Sequence, residues 1–401
     1  MQRKNMRGLV NRILGRAGLE LRRKSGNQAA AMPRASLSAN GERRGRVLIS
    51  YIPDDILKDE SDVSPDHTHF WECRQMALTY ADAGFDVDVV KFDDTTVRPD
   101  KPYDILVSAR TDLERLSRFL PEQCLKIAHL DTAHFLTHNA NALARLADIR
   151  QRKGVALRSN RMLEDNWAIE FADMGCVLGN RFTAESYAYA GKPIHRIPLS
   201  SVQRFEWDEE KDFDACRNTF IWFGSGGFAH KGLDLVIDAF ADLPEQRLLI
   251  CGPVDIEKRF VAAYRDQMYE SDNIETIGWV DITTDRFRDI TRQTVATLYP
   301  SCSEGGGGSV ITCMHAGLIP VVTEEASVDI GDTGIELQEA SVDQVREAVL
   351  RISEMDISEL ESRAKAAWEL ARARHTRDNF AAEYRRFVEK TVLPELEKRR
   401  S

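Results

Sequence analysis

A chain of 401 residues, 43% hydrophobic and 29% charged, is too long for one ordinary core and has the balance of a soluble protein, so two domains are expected. No apolar stretch approaches the ~18 residues that span a bilayer. Residues 1–46 carry twelve Lys/Arg against two acids, so the total of −10 leaves −20 on the remainder, and an acidic body excludes general nucleic-acid binding.

The leader divides in two. Between residues 5 and 24, Met6, Leu9, Val10, Ile13, Leu14, Ala17 and Leu21 recur at helical spacing among arginines. This reads as a basic amphipathic helix suited to an anionic membrane surface, or as a leader that docks on its own protein or stays disordered. Arg12 and Arg16 interrupt the apolar part that a signal peptide would need. Residence is therefore expected in the cytoplasm, at the inner face of the membrane where the leader binds it. "NQAAAMPRASLSANGERRG" then reads as a flexible linker, closing a leader segment at residue 46.

From "RVLISYI" onward, short apolar strands alternate with helical stretches, through "FDVDVVKF", "YDILVSA", "LKIAHLD", "DMGCVLGN" and "IHRIPL". A polar, acidic stretch around 207–217 is followed by a second series with strands at "TFIWFGS", "QRLLICGP", "IETIGWV", "VATLYPS" and "LIPVVT". Such alternation predicts parallel sheets with crossover helices. The expected domains are 47–213 and 214–375, with a final helical segment, 376–401. Ligands bind such sheets at the carboxyl ends of the strands.

The chemistry concentrates in the second series. "YPSCSEGGGGSVITCMHAG" is strand, glycine loop and helix, and its loop amides and helix N-terminus form an anion cradle. Four glycines in a row imply that a ligand, phosphorylated on this reading, comes against the main chain. Glu304 would repel a lone anion but suits sugar hydroxyls beside one. "WFGSGGFAHKGLDLVIDAF" is a second loop of this kind, in which Lys231 can offset phosphate charge. In the first series, "HLDTAHFLTH" clusters His129, Asp131, His134 and His138 at a strand end, and "DHTHFWEC" places His67 and His69 on the way into a helix. The seven cysteines form no CxxC pair, and no metal is expected.

In "FGSGGFAHKGLDLVIDAF", "YPSCSEG" and "GLIPVV", taken in order, the chain resembles the retaining nucleotide-sugar glycosyltransferases of the group 1 type. The resemblance implies the GT-B fold, α/β with two doubly wound Rossmann-like domains facing each other across a cleft. It also implies that Lys231 binds the donor diphosphate and Glu304 the donor sugar. Gly224, Ser225, Gly226, Gly305, Gly306, Gly307, Gly308, Ser309, Val310 and Thr312 would make up the rest of the donor site. His129 resembles the family's strand-end histidine near the donor sugar, and His67, His69, Asp131 and His134 fall on the acceptor side. Two positions depart from the pattern. Thr312 stands where a second glutamate holds the ribose, and Ser225 where an arginine follows the first loop's glycine.

The expected function is metal-independent transfer of a sugar, with retention, from a UDP- or GDP-sugar to a glycan or lipid-linked acceptor in cell-surface polysaccharide synthesis, without a cofactor. A sugar-nucleotide epimerase shares the fold, and the two departures also suit a catalytically silent relative that only binds nucleotide or glycan. Phe380, Tyr384, Phe387 and Val388 share one apolar stripe that requires a partner surface, and the resemblance implies that this final helix crosses back to pack on the first domain.

Overall fold

The computed structural model describes residues 34–64 and 67–401; the amphipathic helix expected at 5–24 lies outside them. Among the described residues no helix is long and apolar enough to cross a membrane. The first sheet contains β1 (Arg34–Leu37), β2 (Gly45–Tyr51), β3 (Phe85–Lys91), β4 (Ile105–Ala109), β5 (Leu125–Leu130), β6 (Met174–Val177) and β7 (Ile194–Arg196), in the order β1-β3-β2-β4-β5-β6-β7. All its pairings are parallel except that of β1 with β3. Its long helices are α1 (Thr68–Asp82) and α2 (Phe135–Lys153). The wholly buried "ILVSA" of β4 shows why the central strands read as unbroken apolar runs: helices cover both faces of a parallel sheet.

The second sheet is parallel throughout and has the Rossmann order β10-β9-β8-β11-β12-β13. Its strands are β8 (Thr219–Phe223), β9 (Arg247–Cys251), β10 (Ile274–Gly278), β11 (Ala296–Tyr299), β12 (Ile319–Thr323) and β13 (Ile335–Leu337). The helices used below are α3 (Leu233–Phe240), α4 (Gly308–His315), α5 (Ile357–Arg374) and α6 (Arg377–Phe387). The order reverses between β8 and β11, and the two glycine loops follow these two strands. The sequence thus delivers both loops to the switch point, where an open α/β sheet binds its ligands.

One stretch differs from its sequence reading. Arg34–Leu37, within the expected flexible linker, is the edge strand β1, antiparallel to β3 with Ala35 opposite Val89. Ala and Ser have little strand preference of their own, but β3 presents a free edge, and Ser36 Oγ donates to Asp88 Oδ1 at 2.6 Å.

Two helices tie the halves together. In α6 Phe380, Tyr384 and Phe387, and just after it Val388, are buried with Trp71, Met76 and Tyr80 of α1 and with Val47 and Ile49 of β2. Thr376 caps that helix by accepting from Asn379 N at 3.1 Å. Helix α2 belongs to the first sheet by chain order, yet its Ile149 lies in the second domain's core. Its buried Arg145 pairs with Asp234 of α3 at 3.3 Å and donates to the carbonyls of Ala229 and Pro300, one in each glycine loop. Arg152 adds a second contact to Asp234 at 2.6 Å.

Candidate functional site

Both glycine loops meet at a buried ion pair. Lys231, just before the Gly232 cap of α3, lies 3.5 Å from Glu304, with Lys231 4% and Glu304 9% exposed. Tyr299, at the end of β11, bridges them: Lys231 Nζ donates to its hydroxyl at 2.8 Å, and the hydroxyl donates to Glu304 Oε1 at 3.2 Å. Ser301 Oγ donates to the same carboxylate oxygen at 3.3 Å. Burial works against the charge on Glu304, but Lys231, Arg161 and the Tyr299 hydroxyl oppose it, and its pKa is held at about 2. Burial draws Lys231 below the ordinary lysine value, with Glu304 opposing. Glu304 is thus a fixed carboxylate rather than a proton carrier. Beside the pair, His230 Nε2 donates to the Ser303 carbonyl, and burial lowers its pKa to about 4, so its ring is neutral.

The glycines of the long loop are explained largely by the chain itself. A Cβ on Gly305 would collide with the Asp131 carbonyl of the first domain. Gly307 has φ 58° and its Cβ would meet Val328. Gly306 packs on Leu199. Only Gly308, exposed at the start of α4 with Ser309 and Val310 behind it, leaves room in front of its main chain. The backbone that comes against Gly305 here is protein, where the sequence reading placed a ligand. Thr312 turns back on its own helix, its hydroxyl donating to the Gly308 carbonyl at 2.9 Å.

In the shorter loop Gly224 and Gly226 surround an exposed Ser225. The amides that follow are already occupied. Gly227 N and Phe228 N both donate to the Glu257 carboxylate, the latter at 3.2 Å. A carboxylate of the chain thus sits where this type of loop would hold a phosphate. A cavity of about 290 Å³ opens beside it between the two domains, lined among others by Leu157, Arg158, Asn160, Ile256, Lys258 and Arg259.

The carboxyl ends of the first sheet hold a second polar cluster. His69 Nδ1 lies 3.0 Å from Glu72, and its Nε2 lies 3.8 Å from Asp131. Arg110 pairs with Asp131 at 2.7 Å. Arg110 follows β4 at the point where the strand order reverses and has φ 62°, a conformation costly for a side-chain-bearing residue. Glu72 is fully buried, and hydrogen bonds from His69 and Ser200 overcome that burial and keep it ionised. His129 packs on Tyr51 and Cys176; burial lowers its pKa to about 4, and its Nε2 has no partner among the described residues. His67 caps α1 and packs tilted against His69, with ring centroids 4.2 Å apart.

Of the first-domain candidates, His67, His69, His129 and Asp131 come together. His134 does not: it caps α2 inside a box of Phe135, Trp167, Tyr187 and Tyr189, where an aromatic ring fills space. His138 instead packs tilted against His230 across the domain boundary, with centroids 4.6 Å apart. Among the described residues no group of three or more His, Cys, Asp or Glu is placed to hold a metal ion, and all seven cysteines are buried and unpaired.

Residues 217–355 match the family model Glycosyl transferases group 1. That span covers the second sheet and both glycine loops and leaves the first sheet outside. Solved structures extend the likeness to both domains. A sucrose-phosphate synthase from Thermosynechococcus elongatus superposes with TM-score 0.58 at 14% identity, over 88% of this chain and 100% of that one. HepE of Anabaena, in complex with UDP-glucose, gives 0.54 at 13% over 88% and 100%. A UDP-forming α,α-trehalose-phosphate synthase from Burkholderia xenovorans gives 0.51 at 11% over 83% and 79%. No curated protein matches the sequence. The fold is that of GT-B glycosyltransferases, two Rossmann-like α/β domains.

The sequence reading did not single out Arg110, Tyr299, Glu257 or Arg161. Tyr299 lies one residue before the "PSCSEG" motif, at the last position of a strand whose end forms the site, so its place was recoverable. Arg161 lies in an aperiodic loop, where nothing in the spacing marks it.

Proposed function

We propose that the chain is a retaining glycosyltransferase that takes a sugar from a nucleotide-sugar donor and passes it to a glycan or lipid-linked acceptor. The observation that carries this reading is the Lys231–Glu304 pair, buried where the two glycine loops meet, with Gly305 of the long loop against the Asp131 carbonyl of the first domain. The match to group 1 glycosyl transferases and the UDP-glucose complex of HepE support the donor class.

On this reading the diphosphate lies near Lys231 and the free amides at Gly308, Ser309 and Val310. Negative charge grows on it as the glycosidic bond breaks, and a preformed cation stabilises that charge more than the ground state. Glu304, fixed as a carboxylate by its own neighbours, accepts from hydroxyls of the donor sugar and so sets its orientation. His129 offers an unpartnered Nε2 to the same sugar. The acceptor enters over Arg110, Asp131 and His69, and the departing phosphate helps to take its proton. The reaction needs no metal or cofactor, since the site's own cations carry the electrostatic work. Cell-surface polysaccharide synthesis in the cytoplasm, with the leader on an anionic membrane, completes the proposal.

Calorimetry with UDP-glucose and GDP-mannose, followed by product analysis of the anomeric configuration with and without acceptor, tests it. Binding and acceptor-dependent transfer with retention are expected. Conversion of the donor without any acceptor would point to an epimerase, binding without turnover to a silent relative, and no binding of either donor would end the proposal.

A further inference from the structure

Arg161 belongs to the first domain but stands at the second domain's ion pair. Its Nη2 lies 3.9 Å from Glu304 Oε2. Its stem crosses the shorter glycine loop, where a Cβ on Gly227 would sit 2.7 Å from Arg161 Cγ. The backbone is held from two sides: His138 Nε2 meets the Arg161 carbonyl at 2.6 Å, and Arg161 N donates to Ser159 Oγ at 3.0 Å. Asn139 makes a pair of hydrogen bonds with Leu163, both at 2.9 Å, which fixes the following turn. His138 and Asn139 lie on α2, the helix whose Arg145 is bound to the second domain. The loop carrying Arg161 is therefore tied to a helix that is itself bound to the second domain, although it comes from the first domain's part of the chain.

The charges around the pair show what this guanidinium adds. Lys231 is cancelled by Glu304, and Glu257 adds a further negative charge at the loop amides. Ser225, exposed on that loop, supplies none. Among Lys231, Glu304 and Glu257 alone the balance is net negative, and Arg161 brings these four side chains to neutrality. The side chain is 41% exposed, and among the described residues its guanidinium donates no hydrogen bond, so its planar fork of donors is free for an anion.

We infer that Arg161 is a donor-phosphate ligand reaching across from the first domain, a second cation beside Lys231 at the ion pair. This rests on the nucleotide-sugar reading above. A diphosphate beside Lys231 would take a two-pronged contact from Arg161, which turns from Glu304 to the phosphate and leaves that carboxylate to the sugar.

The test uses the full chain with UDP and uridine as probes. Arg161→Gln should weaken UDP binding by about 10-fold to 100-fold, the scale of a hydrogen bond to a charged group, and leave uridine binding unchanged. Arg161→Lys should recover part of the loss, and wild-type affinity for UDP should fall more steeply with salt than that of Arg161→Gln. Thermal melting of both variants checks that the fold is retained. Equal UDP affinity in wild type and Arg161→Gln overturns the inference and leaves the proposed function standing. An equal loss for uridine also overturns it, because Arg161 would then act only as a strut. Failure of the wild type to bind either UDP or GDP overturns both.

Discussion

Phe380→Ala should destabilise the first domain, although residue 380 lies almost two hundred residues beyond the last strand of that sheet. The ring is fully buried, lies edge-on to Trp71 at 6.0 Å and stacks on Tyr384 at 5.9 Å. Truncating a buried Phe to Ala costs ~3–5 kcal/mol, near the upper end where the surroundings cannot collapse. Here the neighbours are aromatic rings on two helices, α1 and α6, each anchored elsewhere, so little collapse is open to them. Amide hydrogen exchange separates the domains in a way that one melting curve does not. Amides of β2 and β3 should exchange roughly 10²- to 10⁴-fold faster when opening of the first domain governs them. Amides of β8 and β9 should change far less. Unchanged protection in β2 and β3, or loss confined to the second sheet, would refute the claim that α6 holds the first domain.

Glu304→Gln should keep UDP binding while lowering transfer by about 10²-fold or more, the scale of one lost positioned polar contact; unaltered turnover would remove Glu304 from the sugar site. Lys231→Ala should lower kcat, because the leaving-group charge it offsets grows in the transition state, and a normal kcat would place the phosphates elsewhere. Burial holds His129, His230, His315 and His375 near pKa 4 in the folded chain, so between about 6.5 and 4 the unfolded chain binds protons that the folded chain does not. Stability should therefore rise with pH across that window and level off above it, as urea midpoints from pH 4 to 8 would register. Deleting residues 1–33 should abolish sedimentation with anionic liposomes and spare the fold, whereas deleting 1–46 also removes β1 and the start of β2 and should destabilise the first sheet; equal binding to neutral vesicles would exclude the electrostatic account.

What the sequence made legible follows from the range of the forces involved. Strand–loop–helix order, the two glycine loops and the apolar stripe through Phe380 and Tyr384 are local patterns, and each was readable. The Lys231–Glu304 pair joins residues 73 positions apart, and each was found through its own motif. Arg161 and Glu257 were not, because they act through contacts between separate loops that no periodicity announces. The glycine run misled in part. Absence of a side chain says that something comes close, and at Gly305 the neighbour is the Asp131 carbonyl. The edge strand β1 was missed because its partner, rather than its own composition, makes it a strand.

Glu257 gives the shorter loop an unusual property. Its carboxylate already aligns the Gly227 and Phe228 amides, so no dipole has to be reoriented when another anion arrives. On the proposed reading, a phosphate reaching these amides would exchange with one anion rather than fill a gap, and its apparent affinity would be lowered by the fraction of time Glu257 stays in place. The displaced carboxylate has somewhere to go, since Arg158, Lys258 and Arg259 line the adjoining cavity. If the donor phosphates reach this loop as proposed, a ligand that brings more charge than a single carboxylate would displace Glu257 most readily.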